Sequence, residues 1–259
     1  LRPGVTTGGP GDALQNPDSE SVGALVESYA ALHDATGADE WLDAGRMAAH
    51  QLTSWVMTHD HAFPPASLFG RLDMRSTGTV FANLQNKHSA PGLCTHSGLG
   101  LLRLFRATNE TALIDLLLDI ARSLPQFVSR PDRPVGEMPS GWINERVNTS
   151  DWAEPMGEIF RGSTWAEVAA LLTFAEVPGV YARPDLGRVW AFDHVEATIV
   201  GSGVEVRNPT AHPALVAVLI EDAGAAAKPL PAGHATRMRR IAVPPGGSIR
   251  VADAQQAAG

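Results

Sequence analysis

"LHDATGADEWLDAGRMAAHQLTSWV", residues 32–56, and "LFRATNETALIDLLLDIARSLPQFV", residues 104–128, decide how the fold is read, because they are two versions of one design. At an offset of 72 residues Leu32 matches Leu104, Ala35-Thr36 matches Ala107-Thr108, and Asp43 matches Asp115. Ala49 then matches Ala121, Leu52 matches Leu124, Trp55 matches Phe127 and Val56 matches Val128. Any two core helices share some leucines and alanines. A shared turn with shared spacing on both sides is more specific, and reads as an internal repeat.

Working outward from the first turn, Val22, Leu25, Val26, Tyr29 and Leu32 lie on one face of a helix starting near Asp18. Trp41, Ala44, Ala48, Leu52 and Trp55 make the stripe of its partner. Around the second turn, Leu101, Leu104 and Phe105 precede Leu113, Leu116, Leu117, Ile120 and Leu124. A third unit is expected from Ser163. There Thr164 and Glu167 have capping-box spacing, and Trp165, Val168, Ala169 and Leu172 form a stripe. The helical part is thus a series of α-hairpins with short turns and long connections.

After about Val189 the period changes. Val204-Glu205-Val206-Arg207, Leu215–Ile220, Ile241-Ala242-Val243 and Ser248–Val251 alternate or run apolar between Asn-Pro, Gly-Ser and Pro-Pro-Gly-Gly breaks. These predict short strands of a small antiparallel β-sandwich. The expected class is mainly α with a C-terminal β-domain, divided as residues 1–188 and 189–259.

The charge balance is acidic, 28 Asp plus Glu against 20 Lys plus Arg, without a basic run, so nucleic acid and anionic membrane are not expected partners. One cysteine, Cys94, rules out an internal disulfide framework and a cysteine-rich zinc site. No apolar run reaches the roughly 20 residues of a membrane helix. Both a cytoplasmic and an exported location stay open.

In consecutive antiparallel helices the short turns gather at one end of the array. Connections 58–97 and 129–163, with the segment before Asp18, are then expected together at the other. Most of the chemically suggestive residues sit in them, and such loops are where clefts are built. The densest cluster is "NKHSAPGLCTHSG", Asn86 to Gly98. It is expected to line the cleft and then lead into a helix through Thr95-His96-Ser97-Gly98.

Repeated α-hairpins with Ala-Thr-Gly or Ala-Thr-Asn turns, long polar loops, the stretch "PSGWINERVNTSDWAEPMGEI" (139–159) and a trailing β-domain resemble the six-hairpin, (α/α)6-toroid carbohydrate-active proteins. The resemblance covers about residues 18–190. It implies an α/α toroid and a glycoside hydrolase, polysaccharide lyase or sugar epimerase activity. Six hairpins need about twelve helices where five or six are legible, and "LRPGVTTGGPG" opens the chain without methionine or signal-peptide pattern. The expectation is therefore the C-terminal half of a longer toroid, with an open, shorter array as the alternative. The missing N-terminal half, or a second copy of the chain, would be its protein partner.

On that resemblance the favoured function is hydrolysis of an oligosaccharide or polysaccharide, including uronate-containing ones. Hydrolysis needs two carboxyl groups across a sugar-sized gap. Asp151 and Glu154 are the candidate catalytic pair, flanked by Glu145 and Glu158, with Trp152 and Trp142 to stack on sugar rings. The plainer reading makes Asp151 a helix start, with Glu154 and Glu158 in its first turns.

The second enzymatic reading is a uronate lyase. Elimination needs the substrate carboxylate neutralised and its α-proton removed, roles for an amide, a cation and an imidazole. Asn86, Lys87, His88 and His96 supply those groups, His88 being the candidate catalytic base, while structural histidines are the plainer reading. A metal site from His59, His61, His88 and His96 with Asp60 is the weaker alternative; neither metal nor cofactor is expected. A buried structural thiol is preferred for Cys94 over a nucleophile. The non-enzymatic alternative is a carbohydrate-binding or scaffold protein that has kept the cleft without catalysis.

Overall fold

The computed structural model describes residues 17–151, 153–160, 165–231 and 233–252. Helix α1 (Ser19–Thr36) starts where the Asp18 carboxylate accepts the backbone N–H of Ser21 at 2.6 Å, and ends at Gly37 in the left-handed conformation, φ 68°. Helix α2 (Asp39–Thr53) returns along it. Single-turn α3 (Leu68–Arg71) and a two-stranded ribbon, β1 (Val80–Phe81) with β2 (Ser89–Ala90), occupy the first long connection.

The second hairpin is α4 (Leu99–Thr108) and α5 (Thr111–Ser123), turned at Asn109 with φ 57°. The end of the first helix, the start of the second and the left-handed cap between them thus recur at the offset of the sequence repeat. The stripes are buried at Val22, Val26, Ala48 and Leu52 in one hairpin and at Leu101, Leu104, Phe105, Leu113 and Leu117 in the other, whereas Leu25, Tyr29, Trp41, Ala44, Trp55 and Leu116 are half-buried and Leu32 is exposed.

The toroid expectation is overturned. The fold is mixed, 37% helix and 21% strand in three small sheets, with seven α-helices among the described residues. Two of the seven, α3 and α7 (Ala223–Ala226), are single turns. Helix α6 (Trp165–Glu176) is followed by strand β3 (Val180–Arg183), not by the second arm of a hairpin. The physical reason lies in the connections, where Gly and Pro interrupt any helical period and the backbone bonds across the chain instead. Ser19 N–H donates to Ala82 O at 3.0 Å, Ser89 and Val147 exchange both backbone bonds, at 3.0 and 2.7 Å, and Phe69 N–H donates to Gly157 O at 2.9 Å. Thr164, the expected helix cap, lies outside the described residues.

The chain divides into two compact units, residues through Phe105 with Asn109–Thr173, and Arg106–Thr108 with Phe174 onward. The expected boundary at 188/189 falls inside strand β4 (Arg188–Ala191). The first unit holds a second apolar cluster beneath its long connections, including Phe63, Phe69, Phe127, Val135 and Val147.

In the second unit β5 (Glu196–Val200), β6 (Gly203–Arg207), β7 (Ala214–Ile220), β8 (Arg239–Val243) and β9 (Ser248–Val251) complete two sheets, ordered β4-β3-β7-β8 and β5-β6-β9. Residues two apart, such as Val180 and Ala182, Val204 and Val206, and Val216 and Val218, share one core drawn from both sheets. The purely antiparallel expectation is corrected at one place: β3 and β7 pair in parallel, Val180 opposite Val218. Strand β3 is buried at every residue, the environment that parallel pairing requires.

Candidate functional site

The segment from Val80 to Gly98 is shaped by local polar bonds. Asn83 Oδ1 accepts the backbone N–H groups of Gln85 at 3.0 Å and Asn86 at 2.7 Å, folding the tip of the β1–β2 ribbon as an Asx turn. Lys87 takes a left-handed φ of 49°, after which His88 O accepts the Ala82 N–H at 2.9 Å. The Ser89–Val147 exchange fastens this ribbon to the segment bearing Glu145 and Arg146. A tight turn follows at Cys94, φ 48°, and closes with His96 N–H on Leu93 O at 2.9 Å. Gly98, φ 83°, then opens α4.

These pieces enclose a cavity of about 550 Å³ within the first unit. Its wall includes Asn86, His88 and Cys94 from the ribbon and turn, Asp18 and Glu20 from the start of α1, Glu145 and Arg146, and Trp165 from the first turn of α6. The volume falls in the range of small-ligand pockets, about 300–1,000 Å³.

His88 is 5% exposed. Its Nδ1 lies 2.8 Å from Ser89 O, and because a carbonyl only accepts, Nδ1 carries the ring proton. Nε2 is then the basic nitrogen, and it is buried with no hydrogen-bond partner. Burial, the largest influence, holds the imidazole below its usual pKa; Ser89 O and Glu154 oppose this, and Arg146 adds to it. His88 is thus a neutral base of defined tautomer. Arg146 Nη1 donates to both carboxylate oxygens of Glu154 at 3.2 Å, its guanidinium carbon lies 4.1 Å from the Phe160 ring centroid, and its Nε is buried without a partner.

Cys94 is a thiol, not a nucleophilic thiolate. Burial above all, with the nearby Glu20 carboxylate, pushes its pKa up to about 12.

Three of the sequence-selected residues meet on this wall: Asn86, His88 and Glu145. The other described ones do not line it. Asp151 Oδ1 accepts the Met156 N–H at 2.7 Å and caps a turn. Glu154 is held by Arg146 and by Asn148 Nδ2, the latter at 3.2 Å. Glu158 Oε1 accepts the Leu68 N–H at 3.1 Å, at the start of α3. Lys87 is exposed, Trp142 is 48% exposed, and His96 packs beside Gly23 of α1, its pKa lowered by burial. Trp152 lies outside the described residues. His59 and His61 have ring centroids 5.1 Å apart, yet no three His, Cys, Asp or Glu side chains are grouped to hold a metal ion among the described residues.

Sequence reasoning counted Arg146 among the suggestive loop residues without giving it a role at a site, and it placed Trp165 in a helix stripe. Nothing in the spacing of Glu145-Arg146 announces a cavity. Trp165 sits on the apolar stripe expected to be core, yet it is 46% exposed at the cavity wall. Comparison of the chain with protein families, curated proteins and solved structures finds no match.

Proposed function

We propose that the first unit is a carbohydrate-active lyase that cleaves a uronate-containing oligosaccharide by general-base elimination in the His88 cavity. The observation that carries this reading is the unpartnered Nε2 of a buried, neutral His88 on the wall of a ligand-sized cavity. Nε2 takes the proton α to the sugar carboxylate, the electron pair forms a C=C bond, and the glycosidic C–O bond at the β carbon breaks. The leaving oxygen is protonated by the imidazolium or by water. Arg146 and the Asn86 amide neutralise and orient the carboxylate, and Trp165 offers an aromatic face to the sugar ring.

Hydrolysis by Asp151 and Glu154 has less support, since neither lines the cavity and Glu154 is committed to Arg146. A hydrolase at this site would instead use Glu20 and Glu145, the wall carboxylates outside the α1 cap.

The test is incubation with uronate-containing and neutral oligosaccharides, read by mass and by the ultraviolet absorbance of an unsaturated uronate. Absorbing products without added water, lost in His88→Ala, are the expected result. Products that gain water and are lost in Glu145→Gln would replace elimination by hydrolysis. Sugar binding without either product would leave a binding module.

A further inference from the structure

Glu154 was chosen by sequence as a catalytic carboxylate, and its surroundings give it a different task. Both of its oxygens lie 3.2 Å from Arg146 Nη1, and Asn148 Nδ2 bonds Oε2 at 3.2 Å while also donating to Glu158 O at 2.7 Å. Phe160 underlies the guanidinium at 4.1 Å. Arg146 is thus gripped at one end and along one face, and it keeps a buried Nε–H with no partner. Arg146 lines the cavity beside His88, whereas Glu154 does not. An arginine side chain carries about 2 kcal/mol of rotamer entropy, so a guanidinium fixed beforehand costs a ligand less to engage.

We infer that Glu154 is a positioning residue that clamps Arg146 so that its Nε–H is held ready for the carboxylate of an acidic sugar in the His88 cavity. This rests on the elimination reading for its substrate class; the clamp itself does not require turnover. It deepens that reading in a definite way: Glu154 serves substrate binding through Arg146 and exchanges no proton with the sugar.

Two variants separate the clamp from a catalytic acid. Glu154→Gln keeps an acceptor oxygen for Nη1, and its kcat/KM on a uronide is expected within about threefold of the parent, with KM not raised. Glu154→Ala releases the guanidinium, and KM is expected to rise about tenfold or more while kcat changes less. Glu154→Gln also removes a negative charge near His88, leaving Arg146, Asp18, Glu20 and Glu145 as the charges around it and Cys94 as a neutral thiol. The acidic limb of kcat/KM is therefore expected to move to lower pH. Equal inactivation of both variants at unchanged KM would overturn the inference and return Glu154 to the chemistry.

A second readout does not depend on turnover. The Arg146 Nε–H signal, assigned by its loss in Arg146→Met, should be protected from exchange in nitrogen–proton NMR, persist in Glu154→Gln and exchange faster in Glu154→Ala. It should also shift on titration with D-galacturonate. An unchanged signal in Glu154→Ala would overturn the clamp, and no shift with galacturonate would overturn its ligand. If both behave as expected while no uronide is cleaved, the clamp stands and the lyase reading falls.

Discussion

Burial holds the His88 imidazole below its usual pKa of 6.5, so the base form persists into mildly acidic solution. The acidic limb of kcat/KM should then lie below pH 6.5, and a limb above it would contradict the assigned base. The same shift has a stability consequence of fixed sign. The unfolded chain takes up a proton near pH 6.5 that the folded imidazole resists, so this contribution is present above that pH and is lost as pH falls below it. His88→Gln should flatten part of the stability loss that sets in as pH falls below 6.5, read by urea unfolding. Cys94 gives a second test at this scale. With its pKa near 12, the native thiol should resist iodoacetamide at about pH 8, and intact mass should show alkylation only after unfolding. The residue types here were legible as a cluster. Which nitrogen of His88 is basic was not, because a neighbouring backbone carbonyl decides it.

Among the elements, the hairpin caps divide by what a side chain would meet. Gly37 has φ 68° and nothing within 4 Å of where a Cβ would stand, so Gly37→Ala should cost only the left-handed strain, about 1 kcal/mol. Asn109, at the equivalent cap, should gain a few tenths of a kcal/mol as glycine, both changes read from urea midpoints. Gly78 is different. It has φ 82°, and a Cβ there would stand 2.1 Å from the carbonyl oxygen of Asp119 in α5, so backbone would have to move. Gly78→Ala should destabilise by about 3 kcal/mol or more, and a cost near that of Gly37→Ala would show that this loop can shift at little expense. Helix phase and turn position were readable because they depend on neighbours three and four residues apart. The β1–β2 ribbon was not, since two-residue strands carry no period and are fixed by bonds to distant segments.

For the molecule as a whole, the least readable feature is the buried network of the second unit. Arg106 donates to Glu221 through Nε at 2.7 Å and Nη2 at 2.9 Å across 115 residues, and the Tyr181 hydroxyl donates to the same carboxylate at 2.9 Å. Tyr181 also stacks on Trp190, its partner across the β3–β4 ladder. Arg106→Met leaves Glu221 buried without its counter-charge and should destabilise the second unit by about 3–5 kcal/mol, with the Arg106→Met/Glu221→Leu double variant recovering part of the loss in thermal unfolding. By itself the sequence determined the two hairpins, their caps and the alternation of the late strands, because each follows from residues within about one turn or one pleat of one another. Only the tertiary structure decided that the helices do not continue into a ring, that β3 and β7 run parallel, and that His88 and Arg146 reach the cavity while Asp151 and Glu154 do not. Those outcomes depend on which distant backbone groups satisfy one another in the long connections, and local spacing carries no information about that choice.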